Sequence, residues 1–430
     1  MLLFLHCMYD LLVIPLYAQM RITFFIRKDY MKRQLSMPFW CVRSTVGDPF
    51  GSSVMDSITA LEACDILCDA KKDGLIDFTS AHDDDIVEWD PSNPMDDQDP
   101  NSPCYKTIHA LKEKMDKVGL KMKMVTCSLH GDTLFRNGGL TNPDPEIRAL
   151  GAQKVMRTLR IGNFFGAEYF TYWVARDGFE CQFAVDWKTP YKYIENGLNL
   201  ATRYIKENKL SIKYCTIEPK PNEPRGEMYL ATTGHALGLI ANLEDPSMWG
   251  VNPELLQHEG MTNLSASNAA AMAIHAGKLP FLHIGNQKAG QFDNDSPTLT
   301  GMDGLKEMVG LVWILEKLNW SGHIEFDNHV LRTDSAPGAK NSIQIRKDFI
   351  KHNVDSWRLA EKKAEQLAGN KDLDAIRAKY IGKTADISKA LDSFDLKAIQ
   401  AAKIDYKKLN ETPVANAAID YAFNKALLGM

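Results

Sequence analysis

KYCTIEPKPNEPRGE, residues 213–227, decides the fold. A short run of β-branched, aromatic and other apolar side chains, Tyr214 to Ile217, has the composition of a buried strand, and it ends abruptly at Glu218 and Lys220. The same rhythm recurs in PFWCV (38–42), LIDFTS (75–80), MKMVTC (122–127), EYFTYW (168–173), WGVNPE (249–254), PFLHIG (280–285) and HIEFDN (323–328). Between these runs, amphipathic stretches at 54–70, 105–118, 145–165, 189–208, 227–243, 265–276 and 302–318 read as helices. Eight alternating units predict an α/β fold whose parallel sheet closes into a TIM (β/α)8 barrel.

The bulk numbers agree with a large core. Of the 430 residues, 45% are hydrophobic and 24% charged, ordinary values for a globular α/β protein. A barrel needs roughly 250 to 300 residues, so the surplus must lie at the ends. Residues 1–36 read as an N-terminal extension, disordered or not native, 37–368 as the catalytic barrel and 369–430 as a helical arm. Met1 to Met20 is apolar enough to imitate a signal peptide, but it lacks a basic n-region and carries Asp10. No other stretch approaches a membrane span. Beyond about residue 368 the pieces KDLDAIRAKYIGK, DISKALDSF, DLKAIQAAK and AAIDYAFNKALLGM have no strand between them. Short helices of this kind cannot easily build a core of their own, so another subunit is the expected burial partner.

A net charge of −5 without any Lys/Arg block argues against nucleic acid as a partner. The eight cysteines form no CxxC pair, which fits the reducing cytoplasm, and Cys64 and Cys68 read as buried positions on one helix.

In a barrel of this kind the chemistry gathers where the strands end. The second run delivers His82 and Asp85, the fifth Glu218 and Lys220, the sixth Glu254 and His258, the loop after the seventh Asp293 and Asp295, and the eighth Asp327. Five carboxylates at one mouth would repel one another and raise one another's pKa, so cations must compensate. Oxygen-rich ligation with one imidazole favours Mg²⁺, Mn²⁺ or Co²⁺, and two such ions with Lys220 nearly balance the five negative charges. Glu218 and Lys220, two residues apart, share one strand face, which places a lysine beside a metal ligand. His82 and Asp85 suit an imidazole held in one tautomer for proton transfer.

These residues bear a family resemblance. IEPKPNEPRGE, the GHAL that follows, GVNPE with HE shortly after, AGKL and the aromatic-Asp-x-Asp of QFDND resemble D-xylose isomerase, also called glucose isomerase, from about Trp40 to the final ALLGM. The resemblance implies a TIM barrel with a C-terminal arm that embraces a neighbouring subunit in a homodimer or homotetramer. It implies an aldose–ketose isomerase acting on D-xylose, and on D-glucose, by a hydride shift between C2 and C1 assisted by two divalent ions. His82 would assist ring opening, Asp85 would orient it, and Lys220 would hold the carbonyl oxygen. One ion would take Glu218, Glu254 and Asp327, the other Glu254, His258, Asp293 and Asp295. Trp40, Trp173 and Thr126 would wall the sugar, and Phe50 would be lent to the adjacent subunit's site.

Three departures stand out. HIGNQKAG places Gly285 where the family carries an aspartate ligand, leaving Asn286 as the nearest neutral oxygen. One extra residue separates Glu254 from His258, and His130 replaces a phenylalanine that walls the sugar. They keep open an isomerase or epimerase of another sugar, or a catalytically silent relative. A barrel endonuclease for abasic DNA would need more histidine ligands and a basic face.

Overall fold

In the computed structural model of the chain, residues 31–43, 55–298, 304–334, 336, 338–381 and 385–430 are described. Eight strands, β1 (Leu35–Ser36), β2 (Phe78–His82), β3 (Lys121–Thr126), β4 (Tyr169–Trp173), β5 (Tyr214–Glu218), β6 (Trp249–Val251), β7 (Phe281–Ile284) and β8 (His323–Phe326), form one sheet in the order β6-β5-β4-β3-β2-β1-β8-β7. Every pairing is parallel. Apart from the β1–β8 pair, which joins the first strand to the last, neighbours in the sheet are neighbours in the chain, so each step needs a crossover, and helices supply it. The remaining seam, between β6 and β7, is closed by a bridge from Glu254 to His283 and by Asn252, whose Oδ1 accepts the His283 amide at 2.8 Å.

The barrel helices are α1 (Phe39–Arg43), α2 (Ala60–Lys72), α3 (Asp83–Ile86), α4 (Pro103–Val118), α5 (Pro145–Phe165), α6 (Pro190–Glu207), α7 (Thr233–Ile240), α8 (His258–Met261), α9 (Ala266–His275), α10 (Leu305–Lys317) and α11 (Ser342–Ala368). Their ends carry local instructions. The Asp144 carboxylate caps α5 at the Glu146 amide, with Pro145 as the first helical residue. Gly166 at φ 75° ends α5 in the left-handed conformation that a side chain would resist.

Two readings of the sequence need correction. The first strand is Leu35–Ser36, whereas Phe39–Arg43, most of the PFWCV run, is a helical turn buried at Phe39, Trp40, Cys41 and Val42. An apolar run buried on all sides carries no period that separates strand from helix. Arg33 to Ser36, assigned to the extension, therefore belong to the barrel: Arg33 is buried and its amide donates to Glu361 Oε1 at 3.1 Å. The helix expected at 227–243 is confined to α7, and Glu227–Met228 instead pairs antiparallel with Gly178–Phe179 in a two-stranded ribbon.

Side chains two residues apart on a strand share a face, and the barrel interior is filled in tiers by such sets. At the base, the Phe281 and His323 rings stack at 4.9 Å, and Tyr169 lies 5.1 Å from Phe281. One tier up, Thr171 Oγ1 meets Thr216 Oγ1 at 2.8 Å, and His283 Nε2 meets Glu325 Oε1 at 2.9 Å. The next step along the same faces reaches His82, Trp173, Glu218, Gly285 and Asp327, at the carboxyl ends of the strands.

Beside β2 lies a buried charge cluster. The Arg157 guanidinium, on α5, donates to Asp83 Oδ2 at 3.1 Å and to both Asp96 oxygens at 2.6 and 2.8 Å, while Lys154 Nζ reaches Asp83 and Asp84. This cluster ties the segment that follows His82 to α5.

The tail comprises α12 (Lys371–Ala378), α13 (Asp386–Asp392), α14 (Leu396–Ala401), α15 (Tyr406–Glu411) and α16 (Asn416–Leu428). The last of these returns to the barrel, pairing Asp420 with Lys306 at 2.6 Å and setting Phe423 against Trp313 at 6.4 Å. Between Leu391 and Val414 the tail leaves Phe394, Leu396, Tyr406 and Leu409 exposed, Phe394 by 82%. Among the described residues no helix is long and apolar enough to cross a membrane.

Removing Arg157 would leave two buried carboxylates without their shared partner. Arg157→Met is expected to cost about 3–5 kcal/mol, measured as the shift of a urea denaturation curve. A change under about 1 kcal/mol would contradict the reading of Asp83 and Asp96 as charges that depend on it.

Candidate active site

Thirteen of the residues singled out from sequence line one cavity of about 430 Å³ at the carboxyl ends of the strands: Trp40, His82, Asp85, Thr126, His130, Trp173, Glu218, Lys220, Glu254, His258, Asp293, Asp295 and Asp327. Phe50 lies outside the described residues.

On one side of the cavity, His82 closes β2 and begins α3, so its backbone amide and its ring Nδ1 both face Asp85 Oδ2, at 2.8 and 3.1 Å. Nδ1 held by a carboxylate leaves Nε2 as the nitrogen that can exchange a proton. Burial works against the charged ring, but Asp85 outweighs it and the His82 pKa lies above the ordinary imidazole value. The Trp40 indole meets the His82 ring edge-on at 4.7 Å, and its Nε1 donates to Asp327 Oδ1 at 2.7 Å. His130 stands between His82 and Trp173, with ring centroids 5.6 and 4.6 Å away. Burial first, and then the charge of His82, push the His130 pKa well down.

On the other side, carboxylates and cations interleave. Lys220 Nζ donates to Asp293 Oδ2 at 2.7 Å, and the same oxygen lies 3.2 Å from His258 Nε2. His258 Nε2 is also 2.7 Å from Glu254 Oε2, while its Nδ1 faces the Pro219 carbonyl at 3.0 Å. The extra residue before His258 therefore does not remove it from the site. Between Glu254 and His258, Leu256 is buried in the left-handed region at φ 61°, and Gln257 is fully buried.

The charges respond to this crowding. Burial pushes the Glu254 carboxyl up to about 8 even with His258 beside it. Asp295, buried next to Asp293 and Glu254, is raised well above the carboxylate range. Burial would raise Asp293 too, but Lys220 and His258 hold it well below that range. Burial opposes charge on His258 and His283 as well, yet Glu254 at the first ring, and Glu218 and Asp327 at the second, raise both well above the ordinary value.

Three sets of ligand atoms lie within 4.8 Å of one another: Glu218, Glu254 and His258; Glu218, His283 and Asp327; and Glu254, Asp293 and Asp295. Glu254 Oε1 and His283 Nδ1 are buried without a hydrogen-bond partner, although a buried polar atom ordinarily has one. Oxygen-rich donor sets with orphaned acceptors suit divalent cations. The grouping differs from the sequence-based partition in two respects: His258 converges with Glu218 and Glu254, and His283 joins Glu218 and Asp327.

Sequence reasoning missed His283, His329, Ser128 and Asp84, all of which line the cavity. His283 had a detectable signal, because it precedes Gly285 by two in PFLHIG and so shares its inward face. Asn286 is not among the residues that line the cavity; its side-chain amide packs toward Gly304, 2.5 Å from where a Cβ there would stand.

No protein-family model matches the chain. It is 31% identical over 307 residues to a xylose isomerase of Thermus thermophilus, covering 71% of this chain and 75% of that protein. To a xylose isomerase of Thermus caldophilus it is 28% identical over 372 residues, 86% of this chain and 90% of that protein. Among solved structures, an L-ribulose 3-epimerase superposes with a TM-score of 0.53 at 14% identity, covering 79% of this chain and 99% of that one. A D-psicose 3-epimerase of Clostridium cellulolyticum superposes with a TM-score of 0.52 at 10% identity, covering 76% and 99%. At these identities the superpositions speak for the barrel alone. Identity over most of both chains with the first relative, joined to the barrel and the acidic mouth described above, means that this chain belongs to the xylose isomerase family.

Proposed function

We propose that the protein is an aldose–ketose isomerase that converts D-xylose to D-xylulose, and D-glucose to D-fructose, with two divalent ions per subunit. The observation that carries this reading is the convergence of five carboxylates, His258 and Lys220 on one cavity that also holds a His–Asp pair and two tryptophans. Glu218, Glu254 and Asp327 would hold one ion, and Glu254, His258, Asp293 and Asp295 the other. Mg²⁺, Mn²⁺ or Co²⁺, when bound, would supply electrophilic stabilisation to the carbonyl and hydroxyl oxygens of an open-chain sugar.

The protein's own groups would do the rest. His82, its Nδ1 tied to Asp85, accepts the anomeric hydroxyl proton at Nε2 and returns a proton to the ring oxygen, which opens the ring. Lys220 donates a hydrogen bond to the carbonyl oxygen as negative charge develops there. Its present partner, Asp293, keeps the ammonium charged and aimed into the cavity. Trp40, Trp173 and Thr126 wall off water, so the hydride passes between C2 and C1 within the sugar and no organic cofactor is required.

A second reading within the same chemistry, an isomerase or epimerase of another sugar, is favoured by His130. Its ring lies 4.6 Å from Trp173 and gives that wall a hydrogen-bonding group. The exposed apolar residues of the tail support a homodimer or homotetramer in which Phe394, Leu396, Tyr406 and Leu409 are covered by a second copy.

A panel of aldoses assayed for ketose, with added metal or with EDTA, tests the main reading. Turnover on xylose or glucose that EDTA abolishes is the expected result, and a metal-dependent product with every aldose unchanged but a ketose epimerised would replace it with the second. Lys220→Ala should lower kcat by at least about 10²-fold with far-UV circular dichroism unchanged; residual activity near that of the parent would refute the lysine's role. Metal at a hundredfold excess over its Kd should stabilise the fold by about 2.7 kcal/mol, seen as a higher Tm, and Glu254→Gln should lose most of that gain. Phe394→Asp combined with Leu409→Asp should shift sedimentation toward smaller species, whereas an unchanged profile would place the subunit contact elsewhere.

A further inference from the structure

We infer that His283 Nδ1 is a metal ligand, and that β7 of this chain supplies an imidazole where position 285 lacks a carboxylate. The inference rests on the proposed two-ion site and changes the composition of its first half.

The ring is 1% exposed, and Nδ1 lies 2.9 Å from Asp327 Oδ2 and 3.4 Å from Glu218 Oε2. Despite this proximity it makes no hydrogen bond. Three donors clustered within 4.8 Å, close but unbonded to one another, have the spacing of ligands that share an ion. Two donors each about 2.1 Å from one octahedral ion stand about 3 to 4.2 Å apart.

The far side of the ring is tethered. His283 Nε2 meets Glu325 Oε1 at 2.9 Å, and Glu325 Oε2 accepts the Ser36 hydroxyl at 2.6 Å. A carboxylate on Nε2 fixes the proton there and leaves Nδ1 unprotonated, on the side of the ring where Glu218 and Asp327 lie. This is the carboxylate–histidine arrangement by which proteins orient a metal-binding imidazole. Glu325 is fully buried and reaches no part of the cavity lining, so ring orientation is the role its position allows.

The space above the ring is already filled. A Cβ on Gly285 would fall 2.2 Å from Gln257 Oε1 and 2.5 Å from its Cδ, so no side chain fits at 285 while Gln257 is turned inward. Gln257 Nε2 donates to Asp295 Oδ1 at 3.1 Å and to the Asp327 carbonyl at 2.9 Å, which bridges the two acidic segments. The ion that fits Glu218, Glu254, His283 and Asp327 faces three carboxylates and one imidazole. Nitrogen ligation favours a first-row transition ion such as Co²⁺ over Mg²⁺, which prefers oxygen throughout.

The test uses the full chain, stripped with EDTA and titrated with CoCl₂ or MgCl₂, read by calorimetry and by the visible absorption of bound Co²⁺. Two Co²⁺ sites are expected. His283→Asn should weaken one of them at least about tenfold, change its absorption band and narrow the preference for Co²⁺ over Mg²⁺; Glu325→Gln, which keeps the ring, should weaken the same site about 10- to 100-fold. Should His283→Asn fail to fold by circular dichroism, Glu325→Gln alone decides. Unchanged affinity and spectrum at both sites in either folded variant would overturn the inference. Two such Co²⁺ sites without turnover of any sugar would leave it standing and overturn the proposed function instead.

Discussion

Everything at the mouth of this barrel answers to the repulsion among Glu218, Glu254, Asp293, Asp295 and Asp327. Like charges about 4 Å apart oppose each other by about 4 kcal/mol even at an effective dielectric near 20, and Glu254, Asp293 and Asp295 have oxygens within 4.8 Å of one another. Such a group persists only if cations are interleaved and the backbone cannot spread. Lys220 provides the first condition with its ammonium 2.7 Å from Asp293, and the His258 imidazole stands 2.7 Å from Glu254. A sheet closed on itself provides the second, and the bridge from Glu254 to His283 closes the seam at the site itself.

The same constraint explains why the SAHDDD segment is not an ordinary solvated loop. Its three aspartates divide the work. Asp83 is buried against Arg157 and Lys154, Asp84 reaches Lys154 at 2.8 Å, and Asp85 turns back to His82. The first two fasten the segment to α5, and only then can the third fix the imidazole's tautomer and direction. A charge cluster at the edge of the cavity thus sets the geometry of a proton-transfer pair within it, which is why burial of Asp83 matters to His82 even though the two side chains do different jobs.

Much of this was legible in the residues. Seven of the eight strands are visible because each run is short and largely apolar and most end at a polar residue, and most of the cavity-lining residues lie where those runs stop. The first strand was hidden because it spans only Leu35–Ser36, while the adjacent PFWCV run advertises a strand yet forms a turn of helix. Attention to strand ends also concealed His283, which lies one tier deeper, and Glu325 behind it. A period of two along PFLHIG and HIEFDN would have placed both inside. The exact path of 254–258 could not have been read, because a left-handed Leu256 leaves no mark in composition.

Position 285 and the extra residue before His258 look in sequence like two separate injuries to one metal site. In three dimensions they meet at one place. The Gln257 side-chain amide occupies the volume that a side chain at 285 would need, so with Gln257 turned inward only glycine fits there. Gln257 then gives up no charge to the cluster but hydrogen-bonds both Asp295 and the Asp327 backbone. An uncharged amide at a site this crowded adds nothing to the repulsion that the four acidic segments must withstand. A side chain placed at 285 alone would clash with Gln257, so the two positions constrain each other.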